Sequence, residues 1–340
     1  MSRFDEGYIF RQALVDDTAK LMKFINTEWP KKNHIFATNK DFFLYEFQDG
    51  ELLNFVIALN RSTDEIDGMF GFYPASKIKE TLDIWTCMWL TRRKGSMPFL
   101  GLEILKRMKN IVNYRYLTGV GTDLKTAMPL ARDMANHFVF KYKHFYMLSE
   151  KEEYKVANIV KLPVTVKQEG IPPTSLTRIS KINEISECVK NSFYSSIPLK
   201  DLWYVNKRFF CHPINNYIIW EIASQSEKGL LIGREIEVNG TKVLRIVDFI
   251  GKPTLLDGLY DELHSLKQHY EYIDFYIYGV DDIHILNAGF VLKTEDDDNV
   301  IPDYFQPFLQ HNIDIYGTSE VPDVRMCKGD ADLDRPNNPL

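Results

Sequence analysis

Residues 85–105 read Trp85-Thr-Cys-Met-Trp-Leu-Thr-Arg-Arg-Lys-Gly-Ser-Met-Pro-Phe-Leu-Gly-Leu-Glu-Ile-Leu105, and the fold follows from that stretch. The apolar, aromatic-rich run ending at Leu90 reads as a buried strand. A basic loop containing Gly95 comes next. Leu102, Leu105 and Met108 then recur at helical spacing across residues 101–111. A strand feeding a helix through such a loop is an anion cradle. Successive backbone N–H groups, with the positive end of the helix dipole behind them, hold a pyrophosphate. Gly95 permits close backbone approach, and Arg92, Arg93 and Lys94 add charge. A surface turn with solvated charges is the alternative reading. The stretch has neither the P-loop lysine pattern nor a Gly-x-Gly-x-x-Gly fingerprint, so nucleotide hydrolysis and dinucleotide binding are not favoured.

Working outward, the same order of elements occurs twice. Residues 8–14 predict a strand, and Asp16 and Asp17 open a helix carrying Leu21, Phe24 and Ile25. Residues 54–59, 67–73 and 82–90 predict three strands. After the 101–111 helix come a strand at 114–120, a helix at 126–134 and a final strand at 144–148. Polar residues 149–154 and the turn-rich segment 168–174 mark a boundary zone. The second half runs from a helix at 182–191 through strands at 217–222, 230–238 and 243–250. Asn239-Gly240 makes the hairpin turn between the last two. A helix at 255–269, a strand at 272–278, a helix at 282–287 and a strand opening at Phe290 complete it. This is a duplicated α+β domain: residues 1–160, residues 161–320, and a C-terminal tail at 321–340.

Bulk properties narrow the function. The chain has 340 residues, enough for two domains, with 45% hydrophobic and 26% charged residues. Its formal charge of −6 and lack of a long basic run argue against a nucleic-acid partner. No apolar run approaches the ~20 residues that span a bilayer. Acids stand where a signal peptide would be apolar, so a cytoplasmic location is expected. Cys87, Cys188, Cys211 and Cys327 are scattered without a Cys-x-x-Cys pair, and no metal site is expected.

The loop Arg92-Arg-Lys-Gly95-Ser-Met97 resembles the Arg/Gln-x-x-Gly-x-Gly/Ala motif of Gcn5-related N-acetyltransferases (GNAT), with Met97 departing at the last position. Ala127-Met-Pro-Leu130-Ala131-Arg-Asp-Met134-Ala135-Asn136 is similar in spacing to that family's Ala-x-x-Leu-Tyr helix, and Asn287-Ala-Gly289-Phe290 to its end. The resemblance implies two tandem GNAT-like domains, each a mixed, mostly antiparallel sheet flanked by helices, with acyl-CoA as co-substrate in the first. Met88, Trp89, Leu90, Arg92, Arg93, Lys94, Gly95, Ser96, Met97 and Gly101 would bind it. Ala131 stands where many members place the tyrosine that protonates the leaving thiolate, so that donor is missing. The second half has Pro253 and no arginine-rich lead-in, which makes a second CoA site improbable.

Further stretches resemble tandem GNAT N-acyltransferases of nucleotide-linked amino sugars, the anthrose-pathway type. These are Trp29-Pro-Lys-Lys-Asn-His34-Ile35, Leu53-Asn54-Phe55, Ile301-Pro-Asp-Tyr304-Phe305-Gln-Pro307-Phe308, and the segment from Lys328 through Asp332, Asp334 and Arg335 to Asn337. That resemblance implies acylation of a nucleotide-linked amino sugar, a dTDP-sugar favoured, in cell-surface polysaccharide biosynthesis. Trp29, Tyr304, Phe305 and Arg335 would line the acceptor site. Direct attack by the amine requires a proton acceptor, and His34, Asp248 and Asp83 are the candidates. Each has a structural alternative: a loop residue near Trp29, a satisfied buried acid, and a solvent-facing acid. Two other functions compete, a peptidyl or aminoacyl transferase and an idle acyl-CoA-binding protein. The tail is expected to be ordered and to help close the acceptor site.

Overall fold

The computed structural model describes residues 2–30, 32–193 and 196–337. Lys31, within the Trp29–Ile35 stretch, and the tail's last three residues lie outside the described residues. Fifteen strands matter here. They are β1 (Tyr8–Leu14), β2 (Leu52–Asn60), β3 (Ile66–Pro74), β4 (Ile84–Thr91), β5 (Leu117–Gly119), β6 (Phe138–Lys141), β7 (Lys143–Leu148) and β8 (Ser175–Ile179). Then follow β9 (Ile218–Ala223), β10 (Lys228–Val238), β11 (Thr241–Ile250), β12 (Tyr272–Tyr278), β13 (Val291–Leu292), β14 (Tyr316–Ser319) and β15 (Met326–Cys327). They build two sheets, ordered β1-β2-β3-β4-β5-β14-β6 and β8-β9-β10-β11-β12-β7-β13. The orders are congruent. In each, the sixth position is filled by a strand from the far half of the chain.

That exchange corrects the expected domain limits. The chain divides into two compact units, the first running to Val139 and taking in Thr318–Glu320 and the segment from Arg335. The second is Phe140–Gly317 with Val321–Asp334. The strand expected to end the first domain, β7, instead pairs antiparallel with β12, Phe145 opposite Phe275. Its alternate side chains Phe145 and Met147 belong to the second unit's core, with Leu244, Ile246 and Ile273. Alternation identifies a strand but carries no label for the sheet it joins.

In the first unit α1 (Thr18–Glu28) buries Leu21, Phe24 and Ile25, the expected stripe. The Asn39 carboxamide accepts the Phe42 N–H at 2.9 Å and caps α2 (Lys40–Phe47). The helix after the basic loop, α3 (Leu100–Val112), packs Leu100, Leu102, Ile104, Leu105 and Met108 on Phe70, Phe72, Ile84 and Leu117. The expected helix at 126–134 is shorter and looser, one turn over Ala127–Pro129 followed by a π-turn over Leu130–Met134.

Both sheets are mostly antiparallel, with one parallel joint each. β4 and β5 are parallel over three register positions, ending at Thr86 opposite Gly119. β11 and β12 are parallel over three as well, ending at Ile246 opposite Phe275. Beyond those positions the pairing stops, β5 ending at Gly119 while β4 runs on to Thr91, and β11 and β12 running on to Ile250 and Tyr278; each joint leaves a wedge.

The second unit buries charge as well as apolar surface. Arg245, 1% exposed, holds Asp274 at 2.9 Å and Asp303 at 3.0 Å. Replacing Arg245 by Met would leave two buried carboxylates short of a counter-charge. The expected loss is about 3–5 kcal/mol of unfolding free energy, measured by urea denaturation.

Candidate functional site

The basic loop of the first unit is built from its root outward. The Arg92 guanidinium turns back into the fold, with Nε donating to Asp67 Oδ1 at 2.6 Å and a terminal nitrogen donating to the Ile66 carbonyl at 2.8 Å. Asp67, 4% exposed, also accepts from the Asn60 side-chain amide. Arg93 donates through its backbone N–H to the Glu28 carboxylate and through its guanidinium to the Glu28 carbonyl. Ser96 Oγ donates to the Arg92 carbonyl at 2.8 Å, and the Met97 N–H donates to the Tyr8 hydroxyl at 3.1 Å. Arg92 and Arg93 therefore anchor the loop, in addition to any charge they offer a ligand. Of the three basic residues only Lys94 is exposed without a partner among the described residues.

What the anchored loop presents is backbone. Among the described residues, the N–H groups of Lys94, Gly95 and Ser96 donate to no protein group. Gly95 has φ +93°, a conformation that L side chains rarely adopt, with nothing within 4 Å of where its Cβ would stand. Consecutive open N–H groups turned by a left-handed residue form an anion-binding nest. Gly101 has a different task. A Cβ there would lie 2.8 Å from Trp89 Nε1, which donates to the Gly101 carbonyl at 3.1 Å, so this glycine lets α3 seat on β4.

Beside the nest lies the first wedge. Met88 is fully buried, and Trp89 and Leu90 are half-buried. The apex is small and polar. The hydroxyls of Thr318, Thr86 and Thr122 lie 2.5, 3.2 and 3.4 Å from the point a Gly119 Cβ would occupy. At the same register positions the second unit has Ile246 and Phe275, both core residues.

None of the three expected bases is poised to accept a proton. His34 Nδ1 accepts the Phe36 N–H at 3.2 Å and caps the short helix Ile35–Thr38, which puts the ring hydrogen on Nε2. Burial, reinforced by the Arg335 charge, pushes its pKa down to about 3. His34 Nε2 is buried and has no hydrogen-bond partner among the described residues. Asp83, whose alternative reading was a solvent-facing acid, is 0% exposed and accepts from two Arg115 nitrogens, at 2.9 and 2.6 Å. Asp248, also 0% exposed, is held by Lys200 Nζ at 2.7 Å to each oxygen. Burial works against the Lys200 charge, but Asp248 and Asp330 outweigh it and hold its pKa well above the usual value.

The acceptor-side residues separate. Trp29, His34 and Arg335 share the first unit, Trp29 meeting the His34 ring edge-on at 5.1 Å. Tyr304 and Phe305 form a short hairpin with Phe308–Leu309 in the second. Phe305 lies under the Arg245 guanidinium at 5.1 Å and packs on that unit's core. Sequence reasoning missed Tyr8, Asp67 and Lys200. Their partners lie 89, 25 and 48 residues away, and no local pattern announces them.

No protein-family model matches this chain, and no curated protein sequence does. Solved structures do resemble it. A GCN5-related N-acetyltransferase from Anabaena variabilis aligns over 92% of this chain and 72% of its own, with TM-score 0.55 and 8% identity. A putative acetyltransferase from Pyrococcus horikoshii aligns over 94% and 91%, with TM-score 0.48 and 11% identity. The fold is a tandem pair of GNAT-like domains. At these identities the likeness is one of architecture, and the chemistry must be argued from the site.

The two arginine anchors and the exposed lysine make opposite predictions. Arg92→Ala strands the buried Asp67 carboxylate and should cost about 1–3 kcal/mol in thermal or urea unfolding. Lys94→Ala should leave stability within about 0.5 kcal/mol of the parent chain.

Proposed function

We propose that this chain is an acyl-CoA-dependent N-acyltransferase whose thioester site is the first unit's nest and wedge. One observation carries the reading: the three open N–H groups at Lys94–Ser96 lie on the loop that joins β4, the splayed strand, to α3. The nest and Lys94 suit a pyrophosphate, and the wedge between β4 and β5 suits an extended chain bearing amides. When bound, acyl-CoA supplies an activated carbonyl. The chain's residues hold it in line, and N–H groups along Met88–Leu90 stabilise the oxyanion; one such donor is typically worth ~3 kcal/mol.

The acceptor in this reading is the amine of a nucleotide-linked amino-deoxy sugar, a dTDP-sugar favoured, on the strength of the sequence resemblance. His34 acts there as a donor. Its Nε2–H, beside the Arg335 charge, suits an acceptor oxygen or phosphate. With Asp83 and Asp248 committed to cations and Ala131 carrying no hydroxyl, the amine sheds its proton to solvent. The reading also takes the reaction to be cytoplasmic.

Thiol release from acetyl-CoA and longer acyl-CoAs against a panel of nucleotide amino sugars tests this directly. The rate should require the acceptor and fall several-fold at sub-saturating acyl-CoA in Lys94→Ala. Thiol release that ignores the acceptor would mark a hydrolase, and acyl-CoA binding with no thiol release against any acceptor an idle binder. Dependence on charged tRNA would favour aminoacyl transfer instead.

The pH dependence is a separate check. Because the His34 pKa lies near 3, the ring is neutral throughout the assay range, so kcat/KM should rise with pH along the acceptor amine's own titration. No inflection near pH 6.5 should appear. His34→Ala should raise the acceptor KM at least fivefold and leave the profile's shape unchanged. A profile that loses a basic leg in this variant would restore His34 as the base.

A further inference from the structure

The second wedge is filled by the chain itself. β15 pairs antiparallel with β12, Cys327 opposite Ile277 and Met326 opposite Tyr278. The other edge of β12 is already taken by β7, which reaches Ile277 at Lys143, so β15 lies on the side that β11 has left. Gly329 then donates its N–H to the Val247 carbonyl of β11 at 2.6 Å. Residues 326–329 thus bond to both strands just past the point where those strands part. Arg208 Nε holds the Gly329 carbonyl at 2.9 Å, and the Arg325 guanidinium donates to the Gly251 carbonyl at 2.6 Å.

Two buried charge contacts fasten the segment. Lys200 Nζ lies 2.7 Å from Asp248 on β11 and 2.7 Å from Asp330 in the tail, both carboxylates 0% exposed. Lys328 Nζ donates to Asp303 at 2.8 Å. Met326, Cys327 and Ala331 are also 0% exposed. Gly279, at φ +81°, lets the tail pass: a Cβ there would stand 1.9 Å from the Val324 carbonyl oxygen.

We propose that residues 324–330 are a built-in plug, latched by Lys200 between Asp248 and Asp330. It seals the second unit's wedge against the extended, amide-bearing ligand that the first wedge takes. The chain consequently binds one acyl-CoA, not two. The identity of that ligand rests on the function proposed above; the plug itself does not. The role of tail residues 324–330 is then to complete the second unit and not to close the acceptor site.

The buried Cys327 thiol reports on the plug without any ligand. Peptide-resolved N-ethylmaleimide labelling of the full chain should modify exposed Cys188 and Cys211 at least 100-fold faster than Cys327. Gly279→Ala should raise Cys327 labelling tenfold or more, while circular dichroism and the Lys94-loop peptides' hydrogen exchange stay as in the parent. Asp330→Asn, a milder change that keeps the side chain's shape, should raise it to a lesser degree and serves if Gly279→Ala does not fold. Rapid Cys327 labelling in the parent chain overturns the plug, as does unchanged protection in the folded variants. Calorimetry with acetyl-CoA should give one site per parent chain, and two sites would overturn it. If acetyl-CoA binds nowhere, the acyl-CoA reading fails and the labelling alone decides the plug.

Discussion

Two parallel strands that part after three register positions leave backbone donors and acceptors facing one another across a gap, and the rest of this fold answers that constraint. Such groups are costly when buried and unsatisfied. The first unit leaves the strand past Thr86 open beside a gap rimmed by threonine hydroxyls and a loop of unspent N–H groups. The second unit closes the same gap with its own tail, over an apex of Ile246 and Phe275. One architecture thereby yields one sealed wedge and, in the proposed reading, one receptive wedge.

Sealing with a polar segment requires charges inside the protein, and these have to balance locally. Lys200 answers Asp248 and Asp330, while Arg245 answers Asp274 and Asp303, with Lys328 completing the group. A buried ion contributes little net stability when paired and is very costly when its partner is removed. Such groups therefore favour one arrangement over its alternatives more than they deepen the well. The hairpin at Tyr304–Phe308 and the tail at 324–330 are poor in helix or strand signal, and these charges fix where both lie.

Legibility in the sequence followed the range of the interactions. The strand, basic loop and helix around Arg92–Gly101 were readable because apolar periodicity and glycine position are local. The duplication was readable in the same way. The exchanged strand was not, since Lys143–Leu148 has the same pattern whichever sheet receives it. Asp248 looked like a candidate base because an acid in an apolar strand is chemically ambiguous until Lys200, 48 residues away, is seen beside it. Arg92 was incompletely legible for the complementary reason: a basic residue next to an anion cradle looks like a ligand, and its hold on Asp67 and Ile66 is invisible in the local pattern.

If the proposed acyl transfer holds, the proton inventory constrains its chemistry in the first unit. A positioned base typically contributes 10²–10⁴-fold, and every group nominated for that task is already engaged: His34 Nδ1 by the Phe36 N–H, Asp83 by Arg115, Asp248 by Lys200. Alignment of an amine with a held thioester is worth more, with effective molarities of about 10⁵ M or above. Enzymatic rates are thus attainable without a base, provided the amine arrives neutral. Such a site gains most from rigidity, which is what the Arg92–Asp67, Ser96–Arg92 and Met97–Tyr8 contacts supply to the loop. It gains least from a titrating side chain. A histidine made neutral by burial, with its one hydrogen directed away from its own cap, fits that division of labour as a fixed donor for the acceptor.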